Sequence, residues 1–562
     1  MTGSAVSNEK NKSAYLIACI VMIVAAFIQG YRTVSDLHWF SDPDFYRDLS
    51  NVQQNLYGNY GKDPNYIGAF IWYNPLLTSI ESLIIKITGL PVNLVLARGG
   101  AYLNLLAPIT FVMMVVILFD YKTALACLLS FLFLATGNIP GYCTGTYSPW
   151  LFPVCFAQFL FYLNIIFCYK AFSTQRYEWF FILGICIGLN FLAHTAPAAL
   201  IILIASILQV RSIVSALKEK KHSLVKRFVL QGLTCFLPFI IVSLPLLYYI
   251  VGKYHLHFIN RVPFEYEANI FIFRNFPDMI KANISVSFFI AVFGFFAFYK
   301  KFHHQLIRRI VFYWCFTAIF MYIYSTVAVT IDNHFKIHLP LTVPNYHYFF
   351  YLKAVQSVFF GYGLIFLLRV AFLRANGLIK SKNKTIVERI NPDWLFISLI
   401  LFCALVYFPF YRNRWDFVEL RRRTLAYEKE KERIEMYYYI VKNIPADKVI
   451  LCEGPDDPCA FPVAATARKV VALGPSYSNP YLDWEKRRDD RNNMIKFLQT
   501  GKPAEAKKLF YDYNVSFVLL TNEDLTGAKA DWLIKKILFR NNKYSIMSLD
   551  NQDLNSFHPV QY

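Results

Sequence analysis

Hydrophobic residues dominate the first 410 positions in long runs, broken by short polar stretches. Runs of about 17 to 25 apolar residues are long enough to cross about 30 Å of hydrocarbon as a helix. The pattern predicts eleven spans, at residues 14–30, 100–119, 123–137, 149–169, 179–193, 196–210, 228–251, 284–299, 310–330, 348–368 and 394–410. With the N-terminus in the cytoplasm, alternate short segments carry 21 Lys and Arg residues, and the opposite loops carry about nine. Basic residues concentrate on the cytoplasmic side of membrane proteins, so this imbalance supports that orientation. An odd number of spans then puts the tail outside. Lys10 and Lys12 ahead of the first run also suit a signal peptide, but no small-residue cleavage site follows them.

The outer segments have their own patterns. In the first loop, 31–97, Phe45, Leu49, Val52 and Leu56 recur at helical spacing and predict an amphipathic helix from about Asp44 to Tyr57. WYNPLLTSIESLIIKITG predicts a second helix with Pro75 near its start. Helices of this kind can lie along the membrane interface. The loop 252–283 holds Arg261, Glu265, Glu267 and Arg274, and the loop 331–347 is dense in His and Pro. From about residue 411 the chain turns polar. One charged helix, RRRTLAYEKEKERIEMYYYIVKNI, leads into short β-like runs (KVILCEG, KVVALG, SFVLLTNE) that alternate with helical ones (WEKRRDDRNNMIKFLQT, AEAKKLFYDY). Alternating strands and helices predict a small α/β domain. The expected organisation is therefore a membrane module, 1–410, and a soluble extracytoplasmic α/β domain, 411–562.

Composition agrees. The chain is 56% hydrophobic, 18% aromatic and only 17% charged, with a mean hydropathy of +0.36. A soluble protein carries more charge. The net charge of +20 reflects basic cytoplasmic segments rather than a nucleic-acid partner. Most of the 11 cysteines sit in apolar runs as small hydrophobes. Cys452 and Cys459 stand closer together in LCEGPDDPCAF, where either a disulfide or two free thiols is consistent with an outer location.

SDPDFYRDL, residues 41–49, follows the first span directly, so Asp42 and Asp44 fall at the outer membrane surface. With the span number, the outer loop helices and the soluble tail, this placement resembles the GT-C superfamily of integral-membrane glycosyltransferases, which use polyprenyl-phosphate-linked sugars. DPDFYR is similar to the DP-x-F-x-x-R type of oligosaccharyltransferase subunits, although their WWD-type motif is absent here. WYNPLL, 72–77, is similar to an aromatic–Pro–Pro–Leu element of the aminoarabinose and mannosyl transferases, with Asn74 in place of the first proline. AHTAPAAL, 193–200, resembles a His–x–x–Pro turn of bacterial members, and SNPYLDWEKRRDDR, 478–491, resembles the C-terminal domain of others.

The resemblance implies an enzyme, with inversion at the sugar carbon and a bacterial inner-membrane location. Its partners would be a polyprenyl-phosphate-sugar donor, a lipid, glycan or protein acceptor, and membrane lipids. Transfer needs a base for the acceptor proton. Asp42 is the candidate, with Asp44 as its partner, and a divalent cation, Mg2+ or Mn2+, held by Asp42 and Asp44 is an alternative use of the pair. Asp-Pro-Asp also begins helices, so Asp44 is equally a helix cap. Tyr46 and Arg47 follow as substrate-contact candidates, while Arg47 with Asp48 also suits a solvated helix face. The leaving phosphate needs cationic groups, for which the candidates are His194, His347, Lys353 and Arg261. His334, His338 and His347 share a loop with Asp332, but their spacing matches no standard zinc pattern. Two other classes compete with the transferase: a transporter or flippase, which places ionisable residues at mid-membrane, and a non-catalytic scaffold.

Overall fold

A computed structural model describes residues 11–134, 145–263, 284–302, 305–340, 343–379, 391–453, 460–500, 506–526 and 534–549. The chain forms two compact units. The first comprises Met1–Asp36, Arg98–Ser243 and Glu267–Arg421, and the second Leu37–Ala97, Leu244–Tyr266 and Arg422–Tyr562.

The first unit is helical. Among the described residues, eight helices of the chain are long and apolar enough to cross a membrane: Lys12–Val34, Val92–Leu118, Pro153–Thr174, Thr195–Lys218, His222–Lys253, Leu306–Phe335, Tyr346–Phe372 and Pro392–Glu428. Each of the other three expected spans also meets a helix, but a shorter one: Tyr121–Leu134 and Tyr177–Ala193, and Val286–Lys301. The protein is a multi-pass membrane protein.

Local chemistry explains several helix ends. The second expected span is interrupted at Asn104, whose Nδ2 donates to Ser148 O at 2.9 Å and Trp150 O at 2.8 Å. Asn104 thus uses a helix break to satisfy the carbonyls of a neighbouring loop. That loop is tied again by a buried ion pair. Arg414 Nε donates to Asp416 Oδ1 at 3.0 Å and Arg414 Nη2 donates to Tyr147 O at 2.9 Å. Asp416 also accepts from Ser148 Oγ at 2.9 Å, and its carbonyl from Trp150 Nε1 at 2.7 Å. A buried pair of charges is stable only when such bonds surround it. Helices Val286–Lys301 and Tyr346–Ile379 cross at Gly294 and Gly363. A Cβ on Gly294 would run into Phe359 O, and one on Gly363 into Ile290 O. Small residues let membrane helices approach this closely.

The second unit centres on a five-stranded sheet in the order β2-β1-β3-β5-β4, with β1 Val449–Cys452, β2 Lys469–Val470, β3 Val515–Thr521, β4 Ile534–Arg540 and β5 Tyr544–Leu549. β1 lies parallel to β2 and β3. β5 runs antiparallel to β3 and β4. The expected α/β tail is therefore present. The three predicted strands and the helices Trp484–Thr500 and Ala506–Asp512 fall where the pattern put them. Strands β4 and β5 are additions, and the single charged helix is two, Trp415–Glu428 and Lys431–Asn443. Cys452 is buried on β1, and Cys459 lies outside the described residues, as do Glu265, Glu267 and Arg274.

The first loop is built into this unit. Its turn at Asp63 is fully buried. Asp63 Oδ1 accepts from Asn65 N at 2.8 Å, and Oδ2 accepts from Asn479 Nδ2 at 2.8 Å. Lys469 Nζ donates to the Asp63 and Pro64 carbonyls. Val470 N donates to Asn65 O at 2.8 Å, so the loop extends the β2 edge. The SNPYLDW stretch is the knot of this arrangement. Asn479 also donates to Tyr254 Oη at 3.0 Å, Ser478 Oγ and Tyr66 Oη are 2.7 Å apart, and Tyr481 stacks on Tyr254 with centroids 4.3 Å apart. At Gly61, with φ of 88°, the Tyr249 hydroxyl occupies the space a Cβ would need.

Candidate active site

The helix Pro43–Leu56 carries the acidic motif. It forms because Asp42, in extended conformation, accepts a bond from Asp44 N through Oδ1 at 2.9 Å, and Pro43 occupies the first helical position. The capping residue is therefore Asp42. Asp44 stands in the first turn, where a negative charge suits the helix dipole. Phe45, Leu49 and Val52 are buried as the periodicity predicts, but so are Asp48, Ser50, Asn51, Gln53 and Gln54. The helix is thus packed on most sides within the second unit: Gln53 Nε2 donates to Tyr437 Oη at 3.0 Å.

The same packing overturns the solvated face expected for Arg47 and Asp48. The Arg47 side chain is 9% exposed and the Asp48 side chain 4%. Arg47 Nε donates to Asp48 Oδ1 at 2.9 Å, Arg47 Nη1 pairs with Asp44 Oδ1, and the guanidinium lies 3.7 Å over the Tyr73 ring. The apolar face of Leu76–Thr88 bears Glu81, which is 1% exposed. Neither Glu81 carboxyl oxygen has a hydrogen-bond partner among the described residues. Glu81 was missed in the sequence, although a glutamate four residues from Leu77 and from Ile85 on one apolar face is itself a signal.

Four carboxyls around one guanidinium cannot all stay charged out of water. Burial, then the like charge of Asp44, pushes the half-buried Asp42 up to about 7. Burial lifts Asp48 to about 6 against the pull of Arg47. Burial and the Asp48 charge hold Glu81 well above the usual carboxylate range. Arg47 stays charged, because Asp44 and Asp48 outweigh the cost of its burial. Asp42 Oδ2 makes no hydrogen bond among the described residues, so one face of a carboxyl poised near neutrality is open to a proton donor.

Tyr46 is buried with its ring edge-on to Tyr427, centroids 6.0 Å apart. Arg261 also belongs to the second unit. The preceding Asn260 is fixed by its backbone N–H to Pro480 O at 2.9 Å and its side chain to Pro475 O at 2.9 Å.

His194, His347 and Lys353 belong to the first unit. His194 ends one helix and caps the next, its Nδ1 accepting from Ala196 N at 3.2 Å. Its ring lies 4.8 Å from that of His347, whose Nδ1 donates to Pro344 O at 3.1 Å. Two histidines 153 positions apart in the chain are thereby brought together. Lys353 is 5% exposed. Its ammonium makes no hydrogen bond or ion pair among the described residues and lies 5.3 Å from the Phe349 ring centre. Asp332 and His338 form a separate pair at 2.6 Å.

A cation on Asp42 and Asp44 does not fit this geometry. Asp44 is engaged by Arg47, and no group of three or more His, Cys, Asp or Glu among the described residues is arranged to hold a metal.

Solved structures share this architecture. The chain is similar to ArnT from Cupriavidus metallidurans bound to undecaprenyl phosphate, with a TM-score of 0.54 and 12% identity over 94% of this chain and 97% of that one. The apo state of that protein gives 0.52 at 12% identity, with the same coverage. The chain shares its fold with that protein, in keeping with the GT-C resemblance of the sequence. The archaeal oligosaccharyltransferase AglB from Archaeoglobus fulgidus, in complex with an inhibitory peptide and a dolichol-phosphate, aligns at 0.50 and 12% identity over 91% of this chain and 70% of that one. No family model and no curated protein sequence matches the chain. At 12% identity the GT-C likeness speaks for the fold, and the site must argue for itself.

Proposed function

We propose that this protein is a membrane glycosyltransferase that moves a sugar from a polyprenyl-phosphate-linked donor to a lipid, polysaccharide or protein acceptor on the extracytoplasmic face. Asp42 carries the reading. In a GT-C fold, its carboxyl sits at a helix start just beyond the first span, has an open oxygen, and is pushed up to about 7. A base is most effective with a pKa near the working pH.

In this reaction the acceptor hydroxyl gives its proton to Asp42 Oδ2 as its oxygen attacks the anomeric carbon. The bond from that carbon to the phosphate oxygen breaks, and polyprenyl phosphate leaves with the electron pair. Arg47 steadies Asp44 and, through it, the field at Asp42. Arg47 and Arg261 in the second unit, and Lys353, His194 and His347 in the first, are the candidates for holding donor phosphate or sugar. Lys353 is the strongest, since a buried ammonium with no anion beside it among the described residues favours a negatively charged ligand. Neighbours solved with undecaprenyl phosphate and dolichol-phosphate support a polyprenyl carrier. The basic-residue imbalance supports the outer face, and the resemblance of the 478–491 stretch to bacterial members supports a bacterial inner membrane.

Asp42→Asn decides the matter. Asparagine caps a helix as well as aspartate but accepts no proton at neutral pH. In cells lacking the protein, mass analysis of polyprenyl-phosphate sugars and surface glycans identifies the missing glycan. Re-expressed wild-type protein restores it. Asp42→Asn, at equal protein level, lowers transfer by about 10²–10⁴-fold. Full restoration by Asp42→Asn sinks the proposal.

A further inference from the structure

Asp42 is held from behind. The segment that leads into it, Leu37–Ser41, forms no helix, so its backbone N–H groups need partners from elsewhere. They find them nearly 390 residues away, on the last turn of Trp415–Glu428. Glu428 Oε1 accepts from two successive backbone N–H groups, His38 N and, at 2.7 Å, Trp39 N. Thr424, one turn earlier on the same helix face, is fully buried, and its Oγ1 accepts from Ser41 N at 3.5 Å. Asn93 Nδ2 closes the remaining side by donating to His38 O at 2.8 Å. The side chains lock the same segment. Leu37, Trp39 and Phe40 are buried. Trp39 meets Tyr437 edge-on at 4.8 Å, and Phe40 meets Phe45 at 5.8 Å.

Packing alone would bury these rings in several backbone settings. The carboxylate is more selective. One acceptor oxygen shared by two adjacent N–H groups fixes both peptide planes, because hydrogen bonds weaken steeply as they bend. The next residues in line are Ser41 and Asp42, so the orientation of those planes sets where the Asp42 carboxyl points.

We propose that Glu428 is a positioning residue for Asp42. The helix that leads into the tail aims the carboxyl that receives the acceptor proton, and Thr424 assists at Ser41. This inference rests on Asp42 being the base, and the test separates the two.

The experiment uses the full-length protein, re-expressed in cells that lack it, with transfer read as the restored glycan per unit of protein. Glu428→Gln keeps an acceptor oxygen in place. Glu428→Met keeps the shape and removes it. Asp42→Asn runs beside them. Because the site faces outward, changing the pH of the medium titrates it in place. Glu428→Met is expected to accumulate normally and melt like the wild type, yet transfer about tenfold to a hundredfold less, with a shifted midpoint in its pH profile. Glu428→Gln is expected to restore transfer to within about threefold of wild type, the neutral acceptor being the weaker one. Normal transfer by Glu428→Met overturns the inference. So does its failure to accumulate, since the role is then the fold itself. Equal loss in Gln and Met overturns it too, because the carboxylate would then act by its charge. If Asp42→Asn transfers normally, the assignment of the base fails instead, whatever Glu428 does.

Discussion

At Asp42 one carboxyl caps a helix and, in the proposed reaction, takes a proton, and its two oxygens divide the work. The pH behaviour follows. Asp42 works as a base only when ionised, so transfer should rise from acid pH with a midpoint near 7. Asp44→Asn removes the like charge and should move that midpoint lower, with burial still holding it above an ordinary aspartate. A midpoint unmoved by Asp44→Asn would show that the two carboxyls do not interact. Stability runs the opposite way. Asp48 is raised from 3.8 to about 6, so the folded state binds more protons than the unfolded one, and stability present below 3.8 is lost as pH rises toward 6. The slope is at most about 1.4 kcal/mol per pH unit for each such group. Glu81, also raised, adds to the loss. Melting temperature in detergent should therefore fall between acid and neutral pH, and Glu81→Gln should flatten that fall. An unchanged slope in Glu81→Gln would show that Glu81 is ionised in the fold. The sequence announced Asp42 and Asp44 by their place after a span. It hid the burial of Arg47 and Asp48, because a helix packed on nearly every side has the same spacing as one packed on a single face.

Among the elements, the apolar runs were legible because length and hydropathy alone select a span. Where a helix broke, the cause was a single polar residue serving another segment, as Asn104 serves Ser148 and Trp150. Such a break depends on the partner and leaves little local trace. β4 and β5 were unread for a related reason. β4, IKKILFR, is largely exposed on its edge, so its lysines hide the alternation that marks a strand. Helix contacts give a sharper prediction. Gly294→Val puts a branched side chain where Phe359 O already sits, and should destabilise the protein by about 1–3 kcal/mol, read as a lower melting temperature. Gly232→Ala meets nothing nearer than 3.7 Å and should be silent. Equal effects from the two would mean that the close helix crossing is not a determinant of stability.

At the scale of the whole molecule, the second unit combines stretches that the sequence keeps apart, and nothing in local pattern links residue 63 to residue 479. Asn479→Ala removes the bonds to Asp63 and Tyr254 and leaves a buried carboxylate short of a donor. It should cost about 2–4 kcal/mol and expose the first loop to added protease. A first loop as resistant as in the wild type would mean that the knot is not what holds it. The knot also has a consequence in time. Lys469 seals the carbonyls of a turn made 405 residues earlier. At about 5–20 residues per second of synthesis, that turn waits roughly 20–80 s before the chain that completes its surroundings has been made. A chain that stops before Lys469 and Asn479 still inserts its helices but leaves the turn at Asp63 without the bonds that hold the first loop.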